Sequence, residues 1–201
     1  MTELMTTVAA ALKRRGFSVY CAETSEEAAM YVQGFMAPGM SVGVGGSVTI
    51  QELHITDALQ AASIPVHWHW LGQGPAAFSP AREADIYLCS ANAVTRDGQL
   101  VNIDGTGNRV ASMIHGPKQV VAVVGVNKLV DGGLSMAIAR IKREACPPNA
   151  RRLNLPLPCG LTGKCDPEAC PGGFCNVITV QEHPTGKRPY HVVLVNEDMG
   201  Y

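Results

Sequence analysis

Two periods of apolar residues alternate along the chain. Over residues 2–15, Leu4, Met5, Val8, Ala9 and Leu12 recur at three- and four-residue steps, which predicts an amphipathic helix with its basic end, Lys13 to Arg15, at the negative pole of the helix dipole. Gly16 stops it. Phe17 to Ala22 reads as a strand, and Thr24 followed by Glu26 and Glu27 is an N-cap with an acidic first turn, opening a helix to about Gln33. Met40 to Gly45 reads as a short buried strand, Gly45-Gly46-Ser47 as a tight turn, and Thr49 begins a helix running to roughly Ala62. Pro65 to Leu71 contains VHWHWL, a period-2 strand pattern.

The second half repeats the rhythm. Ala84 to Ala93 is an apolar run ending in small polar residues, as at the C-terminal end of a buried parallel strand. Asp97-Gly98 separates Ala93-Val94-Thr95 from Leu100 to Ile103, which predicts a hairpin. Gly105 to Asn108 is a turn and Arg109 to His115 a short helix. Gln119 to Val126 is the most hydrophobic strand, Leu134 to Ala145 a helix, and Asn176 to Gln181 and Tyr190 to Asn196 two late strands. Strands alternating with helices predict an α/β fold, a mostly parallel sheet flanked by helices with one antiparallel excursion at the hairpin. Residues 1–201 read as one domain, since the two strands beyond Pro147-Pro148 are too few for a core of their own and must rejoin the main sheet or cover its edge.

Composition narrows the function. Of 201 residues 46% are apolar and 16% charged, and Lys+Arg 16 against Asp+Glu 17 leaves a net charge of −1, which excludes nucleic-acid binding by bulk charge. No apolar run reaches the ~20 residues of a membrane span. The N-terminal apolar stretch precedes its basic residues, the reverse of a secretory signal, so a cytoplasmic protein is expected.

Polar residues gather where strands end, the edge along which open α/β sheets bind ligands. VGVGGSVT, with Gly45, Gly46, Ser47 and Thr49, turns from strand to helix where backbone N–H groups converge on an anion; a plain turn with Ser47 or Thr49 capping the helix accounts for the same residues. Asn92 ends another strand with Ser90, and Asn127 and Lys128 end a third. Between them IDGTGNR supplies Asp104, Gly105, Thr106, Gly107, Asn108 and Arg109, donors and a cation for a small-molecule ligand. His67 and His69 alternate with Trp68 and Trp70, a pattern better explained by a half-buried strand than by a metal site. Asp104 and His115 are the titratable groups to mutate first, although nothing in the sequence makes either a general acid or base.

Cysteine is the uneven residue. Four of seven fall within PCGLTGKCDPEACPGGFCN, residues 158–176, as Cys159, Cys165, Cys170 and Cys175 spaced C-x5-C-x4-C-x4-C. Four thiolates suit a [4Fe–4S] cluster, or zinc as the alternative; zinc ribbons favour paired C-x2-C knuckles, absent here, and wide spacing in one loop better matches a cubane. Reduced free thiols are the third reading.

SANAVT, LVNIDGTGNRVA, VVGVNKLV, PNARRLN and PCGLTGKC, together with GGSVT, resemble the LUD-domain family of lactate utilisation proteins over nearly the whole chain. The resemblance implies a fold similar to the ribose-5-phosphate isomerase, CoA-transferase and formyltetrahydrofolate cyclo-ligase group, with a ligand at the loop ends named above. It implies an iron–sulfur oxidoreductase component in lactate or related 2-hydroxy-acid oxidation, passing electrons to redox partners. Cys159, Cys165 and Cys175 match the cysteine pattern of the short members; Cys170 follows Cys165 after four residues where two are usual, so Cys146 or an external group is the alternative fourth ligand. The competing reading is a non-redox enzyme binding a phosphate or carboxylate, its metal only structural.

Overall fold

The computed structural model describes residues 1–201. Helix α1 (Glu3–Arg14) is capped by the Thr2 hydroxyl, which accepts from the Met5 N–H, and buries Met5, Val8 and Leu12. Strand β1 (Ser18–Ala22) leads to α2 (Ser25–Gln33), capped by Thr24 as the sequence predicts. After β2 (Val42–Val44), the single helix expected to Ala62 is instead two, α3 (Val48–Glu52) and α4 (Thr56–Ala61). Between them His54 takes a left-handed backbone, φ 51°, which a continuous helix does not tolerate.

β3 (Val66–Trp68) is shorter than the pattern suggested, because the chain coils into a wide turn over His69–Gln73 before α5 (Phe78–Glu83). The two imidazoles therefore do not share a strand face. There follow β4 (Ile86–Cys89), the hairpin β5 (Ala93–Thr95) and β6 (Leu100–Asp104), α6 (Asn108–Ile114), β7 (Gln119–Gly125) and β8 (Leu129–Val130). Helix α7 (Leu134–Arg140) runs through a π-turn at Ile141–Ala145 into α8 (Cys146–Arg152). Pro147 and Pro148 sit in the first turn of α8, where no intrahelical N–H is lost. Last come α9 (Pro158–Thr162), β9 (Val177–Gln181) and β10 (Tyr190–Val195).

Six strands form a wholly parallel sheet in the order β1-β10-β7-β4-β2-β3. β7 explains its unbroken hydrophobicity: Val120, Ala122 and Val124 join the core under α1, while Val121 and Val123 join the core under α2, α3 and α4. β10, far along the chain, lies between β1 and β7, so the segment beyond Pro148 is woven into the sheet. The antiparallel excursion is larger than one hairpin. β5 and β6 anchor a second sheet, β8-β5-β6-β9, covered by α7 through Ala93, Val101, Ile103, Ala137 and Ile141. All parallel strands point the same way, so the segments after β2, β4, β7 and β10 emerge at one end. No helix is long and apolar enough to cross a membrane.

Candidate functional site

At that end opens a cleft of about 640 Å³, walled by the turn after β2, the ends of β4 and β6, Lys128, α8 and the cysteine segment. Ser47 caps α3, its hydroxyl accepting from the Ile50 N–H, so the capping account of the glycine turn holds, and the side chain faces the cleft as well. Gly45 is not on the wall: it lies under Tyr87 and the aliphatic part of Arg109, where an added Cβ would meet the Tyr87 hydroxyl at 2.8 Å.

Arg109 organises the wall. It is 7% exposed, and each of its N–H donors has a partner. Nε pairs with Asp104 Oδ2 at 3.2 Å; one terminal nitrogen donates to the Ser90 carbonyl and Asn102 Oδ1, the other to Asn92 Oδ1 and the Ile103 carbonyl. This guanidinium ties the ends of β4 and β6 together. To a ligand it offers positive field and no free hydrogen bond. Asp104 is equally committed, its other oxygen accepting from the Gly107 N–H at 2.7 Å. Thr106, Asn108 and the Nδ2 of Asn92 line the cleft without a side-chain partner in the chain, and these are the free polar groups of IDGTGNR and its neighbour. Gly107 and Asn127 stand off the cleft. Asn127 holds the C-terminal segment, donating to the Gly200 carbonyl at 3.1 Å and accepting from the Met199 N–H. His115 is exposed at the end of α6, outside the cleft.

Lys128 reaches the floor, 2% exposed. Its Nζ donates to Thr49 Oγ1 at 2.5 Å and Ser90 Oγ at 3.0 Å, joining the segments after β2, β4 and β7. Burial, then the nearby charges of Arg140 and Arg109, push its pKa down to about 7.

The rim holds residues that sequence reasoning did not assign to the site. Arg152 lies over the Trp70 ring, 4.3 Å from its centroid, and bonds Asn149 Oδ1 and the Tyr201 hydroxyl. Their signal was present in PNARRLN and in the terminal Tyr201, but the strand reading of VHWHWL aimed Trp70 elsewhere. His69 faces the cleft, and burial followed by the Arg152 charge lowers its pKa.

Cys146 and Cys175 also line the cleft, their sulfurs 3.6 Å apart. The hydrogen bond from the Cys146 thiol, and then Lys142, bring Cys175 down to about 7; the same bond and burial raise Cys146 strongly. Cys159 and Cys165 lie close enough to Cys146 to add to that rise, and Cys170 packs with Leu155 and Phe174 on the small core of Ala150, Leu157 and Cys159. No three His, Cys, Asp or Glu side chains are drawn together at the spacing of a single ion. The clustered thiols are thus neighbours beside one mouth, Cys146 among them, and no disulfide joins any of the seven cysteines.

The chain matches the LUD domain over residues 5–195. A search of curated proteins finds no match. Among solved structures it is similar to a DUF162 family protein from Deinococcus radiodurans, with 13% identity, 96% of each chain covered and a TM-score of 0.57, a likeness of fold. With the family matched across both sheets, the chain belongs to the LUD domain family.

Proposed function

We propose that this protein is an iron–sulfur component of lactate or related 2-hydroxy-acid oxidation, carrying its cluster on the cysteine segment beside a cleft for the small carboxylate. The observation that carries this reading is that Cys146 and Cys175 line the same cleft as Lys128, Ser90 and Arg109. By their chemistry the thiols suit a [4Fe–4S] cluster: Cys159, Cys165 and Cys175 would hold it, with Cys170 or Cys146 as the fourth thiolate. Lys142 beside Cys175 favours the negative charge of such a thiolate set. The cluster would take up or release single electrons for a redox partner. The chain's own residues bind and orient: the fields of Arg109 and Arg152 draw the carboxylate, and Thr106, Asn108 and Asn92 offer hydrogen bonds. A cysteine cluster of this kind, read as metal-binding, suits a reducing cytoplasm.

Anaerobically purified protein should contain about four irons and as many acid-labile sulfides per chain. Protein with neither overturns the cluster. Lactate or pyruvate should also raise the melting temperature, since a ligand of the native state stabilises it.

One observation favours a second reading, a non-redox binding enzyme with structural zinc. The 3.6 Å between Cys146 and Cys175 is near the ~3.8 Å edge of a tetrahedron built on 2.3 Å zinc–sulfur bonds. Zinc in place of iron in the same analysis would establish it.

A further inference from the structure

The hydrogen bonds around Lys128 match a neutral amine. Thr49 directs its hydroxyl proton to the Met199 carbonyl at 3.3 Å, and Ser90 directs its own to the Ala91 carbonyl at 3.2 Å. Each oxygen is therefore left to accept from Nζ, which donates to both. An ammonium carries a third N–H, for which the chain supplies no acceptor; a neutral –NH2 has two N–H groups, both satisfied by the chain, and one lone pair left over. No carboxylate touches Nζ, and around it stand Arg140, Arg109 and, with the opposite sign, Glu52. The amine lines the cleft, so the lone pair has somewhere to react.

We infer that Lys128 is a nucleophile that forms an imine with the carbonyl carbon of a small 2-oxo acid bound in the cleft. This deepens, and rests on, the reading of the cleft as a site for a small carboxylate. In the step, the Nζ lone pair attacks the carbonyl carbon and a C–N bond forms. The carbonyl oxygen then leaves as water, carrying off the two amine protons, and C=N remains; no electrons are gained or lost. The hydroxyls of Thr49 and Ser90, which hold those two N–H groups, stand where the protons depart. The acid function of the substrate is selected by charge: besides Lys128, the Arg, Lys, Asp and Glu side chains on the cleft wall are Arg109, Arg152 and Asp104, and Asp104 is already paired with Arg109. With its pKa near 7, about half of Lys128 is neutral at neutral pH, against roughly one part in a few thousand for an ordinary lysine.

Incubating the protein with pyruvate or glyoxylate and sodium cyanoborohydride at neutral pH, followed by peptide mapping, tests this directly. The reduced adduct should sit on the peptide containing Lys128, far ahead of Lys13, Lys118, Lys142, Lys164 and Lys187, and should vanish in Lys128→Arg. Acetone, the same ketone without the carboxylate, should label Lys128 more slowly than pyruvate does. Absence of the Lys128 adduct, or labelling spread evenly over the lysines, overturns the imine; equal labelling by acetone overturns the substrate class. The melting temperature with pyruvate, measured in parallel on the unmodified protein, separates the two readings: stabilisation without an adduct removes the nucleophile and leaves the carboxylate site, whereas no stabilisation and no adduct remove both.

Discussion

Asn176 donates its side-chain amide to the Gly105 carbonyl at 2.9 Å, and its backbone N–H bonds the Asp104 carbonyl at 3.0 Å, so the residue after the last cysteine is stapled to the polar loop of the cleft. The approach depends on glycine. A Cβ on Gly105 would come 2.8 Å from the Phe174 carbonyl oxygen, a backbone atom that cannot swing aside. The two features that the sequence separates, IDGTGNR and the cysteine segment, are one structure joined at this point.

Gly105→Ala should therefore lift the end of the cysteine segment while leaving both sheets intact. Cys175 should be alkylated faster by iodoacetamide, and the melting temperature should fall by a few degrees, about 2–4 °C for each 1 kcal/mol lost in a chain of this size. Unchanged alkylation would show that the loop is not held here.

Arg109 gives the largest expected loss. Its replacement by methionine leaves Asp104, 9% exposed, without its ionic partner and removes the donors that Asn92 and Asn102 share. Breaking a buried pair from one side costs about 3–5 kcal/mol, read from the urea midpoint. Lysine, with three donors for five acceptors, should restore only part. A midpoint within about 1 kcal/mol of the original protein would contradict the keystone role.

The main sheet was legible because a strand buried on both faces writes a continuous apolar run, as Gln119 to Val126 does, and because caps such as Thr24 act within a few residues. The second sheet was not. β8 is two residues long, and β9 pairs with β6 across some seventy residues of chain, so neither leaves a local pattern. The same distance hid the site's logic. Asn102 looks like a polar residue in a strand until Arg109 is bonded to it, and Lys128 looks like a surface lysine until Thr49 and Ser90 arrive from two other strand ends. Cys146 stood apart in sequence and is the nearest thiol to Cys175 in space.

That proximity has a consequence in metal-free protein. With sulfurs 3.6 Å apart, mild oxidation by diamide should join Cys146 to Cys175 before any other pair, which peptide mapping under non-reducing conditions reads directly. Serine at either position should abolish this bridge and leave the remaining thiols titratable. A first bridge between Cys159 and Cys165 or Cys170 would place the pair elsewhere.

The depressed pKa of Lys128 sets a pH dependence of stability whose sign is the reverse of an ion-paired lysine. In the folded chain the amine loses its proton near pH 7; unfolded, it keeps it to about 10.4. Between those values the unfolded state binds more protons, so stability rises with pH across that window, by up to about 1.4 kcal/mol per unit. Below pH 7 the burial penalty is present in full, and above about 10.4 it is gone. Other groups titrate in the same range, the Cys175 thiol among them, so the contribution of Lys128 is the difference between the original protein and Lys128→Met, which shares those groups. That difference in unfolding free energy, from urea titrations at pH 7, 8 and 9, should grow in favour of the original protein with each step. A flat difference would mean that Lys128 stays charged in the fold, with its two hydroxyl partners serving an ammonium instead of an amine.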